Sequence, residues 1–151
     1  MTAEDEDGLE LGEQLARDAG GDPFRLADDA KPLYHAAAVF ASNYLVTLTA
    51  LAAELEQRAG VPDGLGALLP LQRATLENVD ALGPGDALTG PAVRGDAGTV
   101  EANLEALTKQ APEAVAAYVT LAELALDLAE DAGRLSAQAR RAVEEVLERW
   151  R

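Results

Sequence analysis

KPLYHAAAVFASNYLVTLTALAAELEQRA, residues 31–59, is the longest helix-forming stretch of the chain, and the architecture has to be built around it. Near residues 36–51, apolar side chains cover most of the circumference of such a helix. Pro32 suits the first helical turn, whereas Gly60 and Pro62 end the helix. We therefore predict a long central helix that is largely buried, with a polar end, ELEQR, that reaches solvent.

The composition supports helices and excludes several classes of partner. The 151 residues are rich in alanine and leucine and poor in β-branched and aromatic residues, which favours an ordinary helical domain with its own core. A formal charge of −15 argues against nucleic acid and anionic membranes as partners. Without cysteine there is no disulfide or thiolate site. The N-terminus is acidic, unlike a signal peptide, and no run approaches a membrane span, so we predict a cytoplasmic protein.

The remaining elements are also predicted to be helical, with one exception. Apolar spacing and helix-ending residues predict helices at about residues 8–19, at 65–82, from Thr99 as N-cap, at 112–133, and after Ser136 as N-cap. The exception is DPFRL, which we interpret as one short strand. The predicted class is all-α: a helical bundle around one long central helix, with a short N-terminal helix–strand piece in front.

Four polar residues interrupt the apolar central helix, and three of them suggest a site. His35 is the only histidine of the chain. At about 100° per residue, Ser42 lies roughly 20° and Asn43 roughly 80° around the helix from His35. The axial separation of His35 and Ser42, roughly 10 Å, excludes a nucleophile–base pair but allows both to line one pocket. Alternatively, His35 caps a neighbouring carbonyl, and Ser42 and Asn43 form hydrogen bonds to adjacent helices. One histidine with scattered carboxylates does not predict a metal site.

A glycine-rich and proline-rich connection, LTGPAVRGDAGT, carries one cation and one carboxylate before a helix. Arg94 can bind a carboxylate or phosphate in bidentate fashion, and helix N-termini favour anions. The alternative is that Asp96 caps the following helix and Arg94 pairs with it at the surface. The embedded RGD triplet is too short to indicate cell adhesion.

Two motifs resemble a known family: PLYHAAAVFASNYL, and LLPLQRATLENVDALGPGDALTGPAVRGDAGTVEANLEAL. They resemble the uncharacterised helical C-terminal domain of bacterial Rossmann-like NAD(P)-dependent oxidoreductases. That domain belongs to the 6-phosphogluconate dehydrogenase C-terminal-like superfamily, with ketopantoate and pyrroline-5-carboxylate reductases. The resemblance covers about residues 31–129. It implies that residues 1–30 are the end of a Rossmann-like domain or a linker, and that residues 31–151 are a substrate-binding and dimerisation domain.

The resemblance also implies roles for individual residues. In the superfamily, a lysine one turn before an asparagine contacts the substrate carbonyl. Asn43 matches the asparagine, Val39 occupies the lysine position, and His35 one turn earlier is the nearest replacement. The implied catalytic residues are therefore His35 and Asn43, acting on a small acidic or carbonyl substrate. The candidate substrate-binding residues are Ser42, Asn78, Thr89, Arg94 and Asp96.

The last predictions from the sequence concern the cofactor and the oligomeric state. NAD(P) is expected only with an N-terminal Rossmann domain, and the chain contains no G-x-G-x-x-G motif, so we predict no cofactor binding by this chain alone. A helix that is apolar on nearly every side, with few helices to surround it, predicts an obligate homodimer. Two other functions remain open: a homodimeric interaction module without catalysis, and a cofactor-independent lyase, cyclase or isomerase.

Overall fold

The computed structural model describes residues 5–151, and within that range the chain forms helices and irregular segments but no strand. The predicted all-α class is confirmed. The α-helices are α1 (Glu6–Asp18), α2 (Lys31–Ala38), α3 (Leu45–Arg58), α4 (Gly64–Leu82), α5 (Pro84–Ala87), α6 (Ala97–Gln110), α7 (Val115–Asp131) and α8 (Ala137–Leu147). Short 3-10 helices cover Asp28–Ala30, Pro112–Ala114 and Glu148–Trp150, and a π-helix covers Val39–Tyr44.

Side-chain caps explain where several helices begin. Ser136 accepts a hydrogen bond from the Ala139 N–H at 3.2 Å, which confirms the predicted cap of α8. At α6, Asp96 accepts from the Thr99 N–H at 3.0 Å. The prediction of Thr99 as the cap was therefore wrong, because the Asp96 carboxylate three residues earlier accepts from that N–H and Thr99 lies inside the first turn.

The DPFRL segment is held by side chains rather than by a strand ladder. The guanidinium of Arg25 donates to carboxylates of Glu13 and Glu6, each at 2.6 Å. The rings of Phe24 and Tyr34 meet edge-on with centroids 5.8 Å apart. The predicted strand was wrong, because an extended segment becomes a strand only when a neighbouring strand satisfies its backbone groups.

Backbone contacts divide the chain into two compact units, Met1–Leu48 and Thr49–Arg151. The division falls inside the long helix, which we define as residues 31–58: α2, the π-helix and α3. The predicted boundary between residues 30 and 31 stays a prediction.

The second unit contains the buried core. Helices α6, α7 and α8 contact one another, and their inward side chains are excluded from solvent. Burial of one such aliphatic side chain contributes about 1.5–3 kcal/mol. The largest fully buried residues are Val100, Leu104, Leu126, Val143 and Leu147.

The long helix is not buried, contrary to the sequence prediction. Among the described residues of the first unit, 5–48, no residue is buried. Leu33, Phe40 and Val46 have 77%, 67% and 68% of their surface exposed. The apolar pattern correctly predicted a helix, but a pattern does not specify what covers an apolar face.

The same helix bears on membrane association. The helical run Asp28–Arg58 has 31 residues and a mean hydropathy of 1.6 in its most apolar window. By length and composition alone it is able to cross a membrane, so the expectation that no run approaches a membrane span was wrong. Core helices of soluble proteins pass the same test, and the cytoplasmic location stays a prediction.

Candidate functional site

The backbone of the long helix changes type at the motif VFASNY. Residues Val39–Tyr44 form a π-helix between two α-helices. A π-helix closes its hydrogen bonds over five residues, so rotation per residue falls from about 100° to roughly 80°. Relative to His35, this change turns Asn43 toward the same side of the helix and moves Ser42 away from it. The angles derived for an unbroken α-helix were therefore wrong. Single π-helical turns within α-helices occur frequently at functional sites.

The polar side chains of this region differ in their bonding. The Thr47 hydroxyl donates to the Asn43 carbonyl oxygen at 3.1 Å, a local bond to the backbone. The side chains of His35, Ser42 and Asn43 are exposed, and among the described residues none has a side-chain hydrogen-bond partner. The alternative in which these three bond to neighbouring helices is thus not seen in residues 5–151. Their polar groups are available to a ligand.

Two other predicted residues share a cavity in the second unit. Asn78 on α4 and Thr89 after α5 both line a space of about 380 Å³. Their side chains have no hydrogen-bond partner among the described residues. The volume lies within the range of small-molecule sites. The other lining residues are mostly apolar: Leu71, Ala74, Thr75, Val79, Pro84, Ala87, Leu88 and Leu128.

An arginine that the sequence analysis missed holds one side of this cavity. Gly83, with φ of 78°, ends α4 and lets the chain turn into α5. The Nη1 atom of Arg134 donates to the carbonyl oxygens of Gly85, Asp86 and Leu88, at 2.7, 3.1 and 2.7 Å. Arg134 thereby fixes the segment that carries Thr89. No local sequence signal predicts this contact, because donor and acceptors are far apart in the chain.

The charged residues of the LTGPAVRGDAGT connection lie outside the cavity of Asn78 and Thr89. Arg94 is exposed in the turn before α6, and neither Arg94 nor Asp96 lines the cavity of Asn78 and Thr89. The Asp96 carboxylate also accepts from the Thr99 hydroxyl at 2.7 Å. The side-chain and backbone hydrogen bonds from Thr99, with a smaller effect of the Arg94 charge, hold the pKa of Asp96 below its usual value. Asp96 makes the bonds of a helix cap, and its substrate-binding role stays a prediction.

Neither a metal cluster in residues 5–151 nor a free phosphate-binding N-terminus at α6 is found. Residues 5–151 contain no cluster of three or more histidine or acidic side chains able to hold a metal ion. The turn before α6 contains Gly90 and Gly95 at positive φ, as phosphate-binding turns do. However, the Asp96 carboxylate already occupies the N-terminus of α6 and would repel a phosphate. The expectation that NAD(P) binds only with an N-terminal Rossmann domain stays a prediction.

Comparison with known proteins gives the family. Residues 1–147 match the family described as Domain of unknown function (DUF2520), and the chain belongs to that family. No curated protein and no solved structure matches the chain. Membership of a family of helical domains of unknown function is thus confirmed.

Proposed function

We propose that this DUF2520 chain is the substrate-binding and dimerisation domain of an NAD(P)-dependent oxidoreductase, with the cofactor domain lying outside the 151 residues. One observation carries the proposal: the long helix is apolar and exposed, and it changes to a π-helix at the residues where the resemblance places the substrate. The oxidoreductase context rests on the resemblance of the two motifs.

The exposed apolar surface supports dimerisation. Leu33, Phe40 and Val46 lie on one continuous helix and each exposes about two thirds of its surface or more. Large exposed apolar patches mark interaction sites, and obligate homodimer interfaces resemble a divided core. A second copy offers the same apolar helix, which makes it a chemically matched partner.

The polar residues on this helix support substrate binding. The π-helix turns Asn43 toward the side that carries His35, and neither side chain has a partner in residues 5–151. Imidazole is suited to proton transfer near neutral pH, so His35 is assigned as general acid toward a substrate carbonyl. The Asn43 amide orients that carbonyl. NAD(P), bound by the cofactor domain, would supply the hydride.

The first experiment is light scattering of the chain at micromolar concentration. We expect twice the chain mass of 15.8 kDa. A folded monomer that stays soluble on dilution contradicts the dimer. A chain that is soluble only in detergent contradicts it as well, and indicates instead that the run Asp28–Arg58 inserts in membranes.

The second experiment tests His35 in a longer protein that includes a Rossmann domain. His35→Gln is expected to reduce turnover about 10²-fold or more, the usual scale for a lost general acid. The melting temperature should stay nearly unchanged because His35 is exposed. Ala38→Gln, also exposed on α2, is the matched control and should retain turnover. Equal turnover in both variants contradicts the catalytic role.

A homodimeric interaction module without catalysis is the second candidate, because the same exposed helix supports it. The two candidates separate in these experiments. If the chain is an interaction module, the dimer should dissociate when the long helix is made polar. His35→Gln should then leave the turnover of the longer protein unchanged. The lyase, cyclase or isomerase alternative predicts turnover by this chain alone, without nucleotide.

A further inference from the structure

A second cavity lies within the second unit, where residues of α6, the start of α7 and the end of α3 meet. Its volume is about 320 Å³, within the range of small-molecule sites. It shares no lining residue with the cavity of Asn78 and Thr89. The lining residues are Leu55, Arg58, Ala59, Asn103, Ala106, Leu107, Gln110, Ala111 and Tyr118.

The apolar part of this cavity is lined by alanines and leucines. Ala106 and Leu107 on α6 face the same space as Leu55 and Ala59 near the end of α3. Alanines leave room that larger residues would fill. A ligand with a compact aliphatic body gains most from such a lining, because its apolar surface leaves water.

The polar part presents one oriented donor. The Asn103 Nδ2 atom donates to the Tyr118 hydroxyl oxygen at 3.0 Å. A phenol both donates and accepts, so this bond uses the oxygen as an acceptor and leaves its hydrogen to donate. The Tyr118 ring also packs against the buried core, which limits movement of the hydroxyl. The cavity is therefore equipped to recognise a hydrogen-bond acceptor.

The charge at the edge of the cavity selects against anions. Arg58 donates from Nη1 to the Gln110 carbonyl oxygen at 2.5 Å and pairs through Nη2 with Glu113 at 2.7 Å and with Glu54. One guanidinium balanced by two carboxylates leaves a local charge of −1, and the whole chain adds to the repulsion with its −15. Arg58 thus binds the C-terminal end of α6 and does not form an anion site.

We propose that this cavity binds an uncharged, compact, mainly aliphatic molecule that carries a carbonyl group. The aliphatic body contacts the alanine and leucine lining, and the carbonyl oxygen accepts the Tyr118 hydroxyl hydrogen. The proposal does not depend on the oxidoreductase function, because no residue that lines this cavity is assigned a role in that function.

Nuclear magnetic resonance titration of the ¹⁵N-labelled full chain tests the chemistry of the ligand. Cyclohexanone, the probe, should shift the amide signals of Asn103, Leu107 and Ala111 saturably at millimolar concentration. Cyclohexanecarboxylate has the same ring and should bind at least about tenfold more weakly, because the local negative charge repels it. Cyclohexylammonium is attracted by that charge but has no acceptor for the Tyr118 hydroxyl hydrogen, so it should bind no more tightly than cyclohexanone. Tighter binding of either charged probe, shifts confined to other residues, or no saturable shift overturns the proposal.

Two variants test the location and the hydrogen bond. Ala106→Leu should fill the cavity and abolish the shifts, while the fold persists because residue 106 is exposed. Ala102→Leu, exposed on the same helix outside the cavity, is the control and should bind normally. Tyr118→Phe should weaken cyclohexanone about 2–10-fold, the scale of one hydrogen bond. Unchanged binding by Ala106→Leu overturns the proposed site.

Discussion

The two units use the same leucine-rich and alanine-rich helices but bury them differently. In Thr49–Arg151, helices α6, α7 and α8 enclose side chains such as Leu104 and Leu126 completely. Among residues 5–48, no side chain is buried, although α2 and the π-helix are among the most apolar segments of the chain. Apolar composition therefore predicts the helices of both units correctly. It does not predict burial, which is observed only in the second unit. A partner would therefore gain the most binding free energy at the exposed apolar surface of the first unit.

The largest loss of stability is expected from a substitution in the core of the second unit. Leu126→Ala should lower the free energy of unfolding by about 2–5 kcal/mol, because it removes packing and leaves a cavity. Leu124→Ala is the control on the same helix, where 55% of the leucine is exposed, and should cost less than about 1 kcal/mol. Urea unfolding followed by circular dichroism measures both. Equal losses would show that the core is not where the structure places it.

The next effect concerns association through the first unit. Phe40→Asp on the π-helix should convert the proposed dimer to monomer, because a charge at an apolar interface is left desolvated. Leu11→Asp on α1, where the leucine is 62% exposed, is the control and should leave the dimer intact. Sedimentation equilibrium distinguishes the two masses. A dimer in the Phe40 variant would place the interface elsewhere.

A smaller effect distinguishes two helix caps by their pH dependence. The pKa of Asp96 is lowered from 3.8, so its stabilisation is fully present above that value and is lost as the pH falls through the lowered pKa. Asp96→Ala should reduce the melting temperature by about 2–6 °C at pH 7, with a difference that shrinks below about pH 4. Ser136→Ala removes a neutral cap and should cost the same at both pH values. Parallel pH profiles for the two variants would contradict the charged cap.

The smallest expected effect is local. Arg134→Gln should release the segment that carries Thr89, because three carbonyl oxygens lose a charged donor. The amides of Ala87 and Leu88 should exchange with solvent about tenfold faster, whereas that of Leu104 in the core should not change. Hydrogen exchange by nuclear magnetic resonance measures each amide. Uniform acceleration would indicate global destabilisation instead.

Much of the fold was predictable because its signals are local. Leucine spacing and Gly60 predicted the long helix to within one residue of its observed end, and Ser136 was identified as a cap from its position before the last helix. The short helix α5 was missed, since Pro84 and Gly85 resemble a loop in sequence. The Asp96 cap was one of two alternatives, and the sequence contains both Asp96 and Thr99 as suitable cap residues.

Less of the candidate site was predictable. Asn78 and Thr89 were both selected, and the structure brings them to one cavity. The π-helix was not predicted, because the apolar pattern of residues 31–58 is equally compatible with a regular α-helix. The cavity lined by Asn103 and Tyr118 was also missed, because its residues come from separate helices.

Helix positions and caps were set within short distances along the chain, because their hydrogen bonds join residues three or four apart. Burial, the two cavities and the fixing of residues 85–88 were decided only in the tertiary structure. Arg134, for example, meets its acceptors across 46 to 49 residues of sequence. Such contacts depend on which helices meet, and a local pattern of side chains does not contain that information.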